Sequence, residues 1–374
     1  MESGNGPVKI LFVNGNAMDR GGIEAFLMNY YRHMDRSKIQ CDFIVHGDKE
    51  GIYNDEIEKL GGRIYHVPMK SKHPILYQNT LRKIFSSGGY RIIHSHLDAM
   101  NCWVLKIAKE CGIPVRIAHS HNTNHLTNNK LKLFINEYAR KNITKYATHY
   151  YACSDAAGRW LYGDSWGDEK SLVINNAIDF SLYEFNDKLR KQYRQRYRVD
   201  KDFVLGHIGR FSYQKNHMFL LEVFARLHSE RKDTKLVLIG EGENRKGIEE
   251  KITELGIAGS VLLLGSKSNA YDFYQMMDLF LLPSRFEGLP VVAVEAQVNG
   301  LTCFMSENIT KEVCMTDRVK LIGIEQIEPW VEAIKNYMDN YSITGRKLKQ
   351  IDLMNSYNIE LAAKRLESLY LSYI

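Results

Sequence analysis

No apolar run in this 374-residue sequence approaches the roughly 20 residues a membrane-spanning helix requires. The longest, such as Leu279 to Pro283 and Leu289 to Val294, fall far short of it, so no span is expected. Residues 1–9 (MESGNGPVK) lack the apolar core of a signal peptide and read as a short flexible lead, with nothing to suggest export. None of the six cysteines (41, 102, 111, 153, 303, 314) forms a CxxC pair, so neither a disulfide framework nor a zinc site is indicated. Reduced, mostly buried thiols in a cytoplasmic protein are the plain reading. Proline is scarce at seven residues and low-complexity tracts are missing, while 44% of residues are apolar and 25% charged. Disorder, collagen and mucin-like stalks are thereby excluded. What is there is a globular chain long enough for two domains, at roughly 100–200 residues each.

The formal net charge of +6 is too mild to argue for nucleic acid. It is unevenly spread. Between Arg63 and Lys145 fourteen Lys or Arg face three acidic residues, Asp98, Glu110 and Glu137, so the rest of the chain is net acidic. With Tyr77, Leu81, Ile84, Phe85, Leu131, Leu133 and Phe134 interleaved, this block suits a surface that meets anionic lipid headgroups or a phosphorylated substrate. An ordinary solvated face is the other reading.

Short apolar runs alternate with helical spacing along the chain. Strands are expected at 8–13, 41–46, 63–67, 91–94, 115–118 and 150–153, with helices at 23–34, 54–60, 79–85, 100–109 and 130–146. After the basic stretch Lys188 to Arg198 the alternation restarts, with strands at 204–208, 236–239, 261–264, 279–282 and 301–305. The helices of this second half are expected at 218–230, 246–255, 270–277, 291–299 and 329–338. Such alternation predicts two α/β domains with parallel sheets and crossover helices. A final amphipathic helix over about 359–371 follows the second sheet and is free to pack back on the first domain. Two such domains make a cleft, and ligands of open α/β sheets bind beyond the carboxyl ends of the strands.

Several loops after strands carry chemistry. Gly21-Gly22 follows the first strand and opens a helix, which suits close approach of a phosphate to the helix N-terminus, or serves turn geometry alone. Gly209-Arg210-Phe211 ends a strand, and Lys215 follows on the same loop; two cations there can clamp a diphosphate, with a surface ion pair the alternative for either one. The strongest signal is Pro283-Ser284-Arg285-Phe286-Glu287-Gly288-Leu289-Pro290 with Glu295 eight positions after Glu287. These two carboxylates flank a helix N-terminus able to hold an anion, Glu287 placed for sugar hydroxyls and Glu295 for a ribose.

His94, His96, His119 and His121 end two consecutive strands and have the look of a metal constellation, but no carboxylate joins them at ligand spacing, with Asp98 the one near candidate. The reading preferred is that one of them faces the cleft as a hydrogen-bond donor, His121 before His119. Two motifs mislead. Asp200-Lys201-Asp202 precedes its strand and points away from any crevice, and Gly240-Glu241-Gly242 has Arg at 245 where a dinucleotide fingerprint needs glycine.

Together these motifs resemble family 4 retaining glycosyltransferases of the two-domain GT-B type, in their EpsF-like capsule and exopolysaccharide branch. The resemblance runs from GGIEAFLMNYYR through GHIGRFSYQKNH, IGEG and LPSRFEGLPVVAVEA. It implies two Rossmann-like domains facing across a cleft, the first over 1–180 for the acceptor and the second over 181–356 for the nucleotide sugar. Residues 357–374 would form a helix returning to the first domain. Arg210 and Lys215 would hold the donor diphosphate, Glu295 the ribose and Glu287 the sugar, with Gly288, Leu289 and Pro290 giving backbone contacts. Gly265, Lys267, Ser268 and Asn269 would receive the base, Gly22 beside Gly21 would close on the phosphate, and His121 or its neighbour His119 would meet the sugar's C6 hydroxyl. Gln297 and Asn299 depart from the small-residue stretch many members carry, on a helix past the ligand.

The implied reaction is metal-independent transfer, with retention, of a hexose or N-acetylhexosamine from a UDP-sugar. The expected acceptor is a lipid-pyrophosphate-linked glycan at the inner membrane face, reached by peripheral attachment of the basic first domain, with no cofactor and no nucleic-acid partner. The competing readings are a nucleotide-sugar epimerase of the same architecture, for which no clear acid and base pair appears, and a non-catalytic sugar-nucleotide binder.

Overall fold

The computed structural model describes residues 6–19, 21–125, 127, 129–346 and 352–374. The first five residues of the expected lead, and Arg20 of the loop before the first helix, lie outside the described residues. The chain divides into two units, Met1–Ile178 with Ser356–Ile374, and Asp179–Asn355.

In the first unit β1 (Val8–Val13), β2 (Ile39–His46), β3 (Ile64–Val67), β4 (Ile92–Ser95), β5 (Val115–Ser120), β6 (His149–Ala152) and β7 (Ser171–Val173) form one sheet in the order 3-2-1-4-5-6-7. All its pairings are parallel. The connections carry α1 (Gly22–His33), α2 (Asn54–Lys59), α3 (Pro74–Ser87), α4 (Asn101–Glu110), α5 (Lys130–Asn142) and α6 (Asp155–Tyr162).

The second unit opens with α7 (Phe180–Tyr183) and α8 (Asp187–Tyr197). Its sheet holds β8 (Phe203–Ile208), β9 (Thr234–Ile239), β10 (Val261–Leu263), β11 (Leu279–Leu282), β12 (Thr302–Ser306) and β13 (Val319–Ile322), ordered 10-9-8-11-12-13. Between and after them lie α9 (His217–Glu230), α10 (Arg245–Glu254), α11 (Ala270–Phe273), α12 (Val291–Val298) and α13 (Glu328–Asp339). The last helix, α14 (Ile359–Ser372), belongs to the first unit.

Central strands such as Leu279-Phe280-Leu281-Leu282 are buried along their whole length, because helices cover both faces of a parallel sheet. One face of the first sheet packs Phe12, Phe43 and Ile117 against α1 and α14 through Phe26, Tyr30, Leu366 and Tyr370. The other packs Leu11, Ile93 and Ala118 against Leu81, Phe85, Leu105 and Ala139. α14 is tied down by polar contacts as well: the Asp35 backbone N–H donates to Glu367 at 3.0 Å, and the Tyr151 and Tyr373 hydroxyls meet at 2.6 Å.

The structure amends several sequence expectations. Tyr77, Leu81, Ile84 and Phe85 are core residues and contribute nothing to a surface patch. Leu131 and Phe134 are exposed as expected, and Met69, Ile75, Leu76, Ile135 and Tyr138 join them at the surface. The basic stretch Lys188 to Arg198 is largely helix α8, capped by the Asn186 side chain accepting from the Leu189 N–H. Four further elements, α6, α7, β7 and β13, were not expected.

In each sheet the strand order reverses once, between β1 and β4 in the first and between β8 and β11 in the second. At such a switch point the loops leaving two neighbouring strands diverge and leave a crevice. The loops that carry the singled-out motifs, 14–22 and 96–100 in one unit and 209–216 and 283–290 in the other, leave those four strands.

Candidate active site

In the second unit the ends of β8, β9 and β10 are packed backbone against backbone. A Cβ built on Gly240 would stand 1.9 Å from the Gly209 carbonyl oxygen, and the Gly240 N–H donates to the Gly265 carbonyl at 3.1 Å. Gly240 and Gly265 take φ of 150° and 70°, which a side chain resists. Gly242 would likewise place a Cβ 2.4 Å from the Phe211 carbonyl oxygen. These contacts give the incomplete glycine fingerprint a packing role.

The loop from Gly209 ends in a tight turn at Tyr213–Lys215, which sets the Lys215 stem against Gly209. The Lys215 ammonium donates to Glu287 Oε1 at 2.5 Å. The same oxygen accepts from Ser284 Oγ at 2.8 Å, and Oε2 accepts from Gln214 Nε2 at 3.0 Å. The two side chains are 13% and 9% exposed, so the ion pair is shielded from water on most sides and held by neutral donors as well. Arg210 is not brought into this group. Its side chain is 75% exposed and meets Glu243 at 3.1 Å.

Glu295 projects from α12. Tyr183 donates to its Oε1 at 2.9 Å and Tyr274 to its Oε2 at 2.6 Å. Burial raises the Glu295 pKa; the hydroxyls of Tyr274 and Tyr183 and the charge of Lys215 pull it back without cancelling the rise. A carboxylate offers about four lone-pair sites. With one phenol on each oxygen, Glu295 retains acceptor capacity for two further hydroxyls, the requirement for holding a cis-diol.

Around these groups, Leu289 is buried, Pro290 caps α12, and a Cβ on Gly288 meets no described atom within 4 Å. Past Gly265, Ser268 is exposed and Lys267 half-buried. The Asn269 amide is already committed, donating to Tyr193 at 2.8 Å and Asp272 at 2.7 Å. Sequence reasoning missed Gln214, Tyr183 and Tyr274. Gln214 sits inside a quoted motif and was within reach; the two tyrosines lie over 20 residues from Glu295 and only the fold brings them to it.

In the first unit, Gly21 precedes α1 in extended conformation, and a Cβ there would stand 2.0 Å from Glu24 Oε2. Gly22 begins the helix, and a Cβ on it meets no described atom within 4 Å. Glu24, another missed residue, is buried and accepts from Asn14 Nδ2 at 2.8 Å. His94, His96, His119 and His121 lie together on β4, β5 and their ends. His94 Nε2 meets His119 Nδ1 at 3.0 Å, His96 Nδ1 meets His121 Nε2 at 2.9 Å, and the rings of His119 and His121 stack at 4.3 Å. His119 has no exposed surface, whereas His121 keeps some. Burial lowers the pKa of all four, that of His121 to about 3. The His121 backbone N–H and the Asn122 amide donate to Asp98 at 2.7 and 2.6 Å, fixing the loop after β5. Asp98 itself holds a left-handed φ of 49°, uncommon for a non-glycine residue.

None of the six cysteines, all of them among the described residues, is joined in a disulfide. Among the described residues no helix is long and apolar enough to cross a membrane.

Comparison with known proteins accords with this arrangement. Residues 20–182 match the model of Glycosyltransferase Family 4 and residues 190–351 that of Glycosyl transferases group 1. EpsF of Bacillus subtilis (strain 168) is 35% identical over 331 residues, 85% of either chain. The UDP-Gal:alpha-D-GlcNAc-diphosphoundecaprenol alpha-1,3-galactosyltransferase of Escherichia coli is 23% identical over 315 residues, 79% of either chain. Among solved structures, Anabaena HepE in complex with UDP aligns with a TM-score of 0.75 over 97% of this chain and 95% of its own, at 18% identity, and shares the fold. Two Rossmann-like units of the GT-B plan, both halves matched by glycosyltransferase models and a 35% identical relative along most of its length place this chain among the family 4 glycosyltransferases.

Proposed function

We propose that the chain transfers a hexose or N-acetylhexosamine, with retention, from a UDP-sugar to a lipid-pyrophosphate-linked glycan in capsule or exopolysaccharide synthesis. The observation that carries this reading is the convergence at the β8/β11 switch point of a shielded Lys215–Glu287 pair with Glu295, whose carboxylate is held by Tyr183 and Tyr274. A nucleoside diphosphate needs these features in this order: a carboxylate for the ribose diol, a cation and a helix N-terminus for the phosphates, and a carboxylate for sugar hydroxyls.

In the proposed step the bond from the anomeric carbon to the diphosphate oxygen breaks on the same face on which the acceptor hydroxyl oxygen adds. The acceptor proton passes to the leaving phosphate. Negative charge grows on the diphosphate oxygens, so donors already in place lower the barrier most. Lys215, held by Glu287, is such a donor. Arg210 is solvated and has to leave Glu243 to serve as a second. This chemistry needs no divalent metal. Gly22 and His121 take their donor roles from the family pattern.

A diphosphoundecaprenol-linked acceptor is named for the Escherichia coli relative. In the first unit a cavity of about 290 Å³ opens at the carboxyl ends of β1, β2 and β4, lined by Gly15, His46, Lys70, Leu97, Met100 and Trp103 among others. Lys70 stands 3.4 Å above the Trp103 ring, and burial lowers its pKa to about 8. Beyond it, Trp103 stacks on Tyr138 of α5, whose exposed stripe Leu131, Phe134, Ile135 and Tyr138 has one-face helical spacing and lysines beside it at 130, 132 and 141. This suits a phosphorylated, lipid-bearing acceptor presented at an anionic bilayer.

The test is turnover of a UDP-sugar panel with a polyprenyl-diphosphate sugar, with the product anomer read by NMR. Retained configuration and UDP release that depends on acceptor are expected. An inverted anomer overturns the retaining mechanism, and a changed sugar without acceptor overturns the transferase in favour of an epimerase.

A further inference from the structure

The geometry points to a transition-metal site in the histidine cluster of the first unit, formed by His94, His96 and His119 and adjoining His121. One ring nitrogen of each lies within 4.8 Å of the other two. All three residues are buried, with at most 1% exposure; His94 and His119 lie on two adjacent parallel strands and His96 directly follows the first of them. His94 is residue three of β4 and His119 residue five of β5; alternation along the strands sends His94 and His96, and His119 and His121, to the same face.

The cluster is incomplete as a set of hydrogen bonds. His96 Nε2 and His119 Nε2 are buried without a hydrogen-bond partner among the described residues. A buried polar atom left unpaired is costly, and an ion bound at His96 Nε2 satisfies one of these two. The neighbours set the tautomers that ligation requires. Tyr370 Oη lies 2.6 Å from His94 Nδ1, and His121 Nε2 lies 2.9 Å from His96 Nδ1. When those two Nδ1 atoms carry the hydrogens, the Nε2 atoms of both rings present lone pairs, the arrangement in which an outer partner orients a metal-binding histidine. His94 Nε2 and His119 Nδ1 are 3.0 Å apart, close to the ~3.3 Å between two nitrogens bound tetrahedrally to one zinc ion. An ion there takes the place of the hydrogen those two rings share, and His96 Nε2 supplies the third bond.

Neutral imidazoles without carboxylate or carbonyl partners select zinc, or cobalt, nickel and copper, over magnesium and calcium. The burial that disfavours imidazolium keeps the ligands in the binding form. Bound, the ion links β4 to β5 and, through Tyr370, to α14, so its role is to brace the first unit.

The test uses the full chain stripped with EDTA, titrated with Co²⁺ and then Zn²⁺. Expected are tetrahedral Co²⁺ visible bands saturating at one ion per chain, displacement by Zn²⁺, and a rise in melting temperature on the order of 5 °C at a hundredfold excess over Kd. His96→Gln and His119→Gln, checked for native circular dichroism, are expected to bind at least tenfold more weakly. No saturable binding of Zn²⁺ by the wild type below about 10 μM overturns the site whether or not the variants fold, about the affinity a specific site has to exceed. Equal binding by folded His96→Gln and His119→Gln overturns it too, by placing the ion elsewhere.

Discussion

The Lys215–Glu287 pair makes a prediction in which stability and catalysis move apart. At 2.5 Å and with 13% and 9% exposure, neither charge is free to return to water when its partner is removed. Removing one member of such a pair costs about 3–5 kcal/mol, because the other stays buried and uncompensated. Replacing both by apolar groups of like volume is close to neutral. Lys215→Met is therefore expected to lower stability by about 3–5 kcal/mol, or roughly 6–20 °C in the melting temperature of a unit this size. Glu287→Met is expected near the lower end, since Lys215 keeps a stem packed on Gly209 along which it can shift outward. The double variant is expected to recover most of the loss, which sets the coupling in the double-mutant cycle at about 5–8 kcal/mol, the sum of the two single losses less the small loss of the double. Turnover behaves differently. If Lys215 stabilises the leaving diphosphate, Lys215→Met and the double variant both lose about 10²–10³ in kcat. The assay is urea unfolding of the four proteins at pH 7 beside single-turnover UDP release. Single variants within 1 kcal/mol of wild type refute the shielded pair, and a double variant with restored turnover refutes the role of Lys215.

Three further outcomes follow from the same contacts. Glu295→Gln is expected to weaken UDP binding about 10–150-fold, the worth of a hydrogen bond to a charged group, measured by calorimetry; an unchanged Kd removes the ribose assignment. Because the native Glu295 pKa is raised, wild type loses stability relative to this variant as pH climbs from below 4.5 through the native value, and melting curves across pH 4–7 that run parallel refute the burial argument. Asp278 accepts from Arg190 at 2.5 Å, Arg194 at 2.9 Å and the Tyr341 hydroxyl at 2.7 Å. Burial alone raises its pKa, but the two guanidinium groups overcome that and hold it below 3.8, so its stabilisation is present above pH 3.8 and lost as pH falls through the lower native value. Asp278→Asn is expected to cost about 3–5 kcal/mol at pH 7 and less in acid, and an equal cost at both pH values contradicts the charge argument. Finally, Phe134→Ser and Ile135→Ser on α5 are each expected to lower partition onto anionic vesicles about tenfold with catalysis in detergent unchanged; equal partition leaves the stripe without a membrane role.

The extent to which the fold was legible follows from which residues face inward. β1 and β11 read clearly, since both faces of a parallel strand are covered, and ILFV after Lys9 and LFLL run without polar interruption. α8 did not, because its inward positions are Arg190, Tyr193 and Arg194, whose polar partners, Asp278 for the arginines and Asp272 for the tyrosine, lie some 80 residues away. β7 and β13 are edge strands with half-exposed patterns, and their pairing energy comes from a neighbour that sequence does not display.

The sequence by itself determined two α/β units and the strand-end loops on which Gly22, Lys215, Glu287 and Glu295 lie, because periodicity and turn residues are local properties of the chain. The tertiary structure alone decided which groups meet. It paired Lys215 with Glu287 and left Arg210 with Glu243, set Tyr183 and Tyr274 on Glu295, enclosed His119 while leaving part of His121 at the surface, and turned Tyr77 and Phe85 from an imagined surface into core. The physical reason is that burial and hydrogen bonding are set by what approaches from another segment, and that distance in space is carried by packing and not by spacing in sequence.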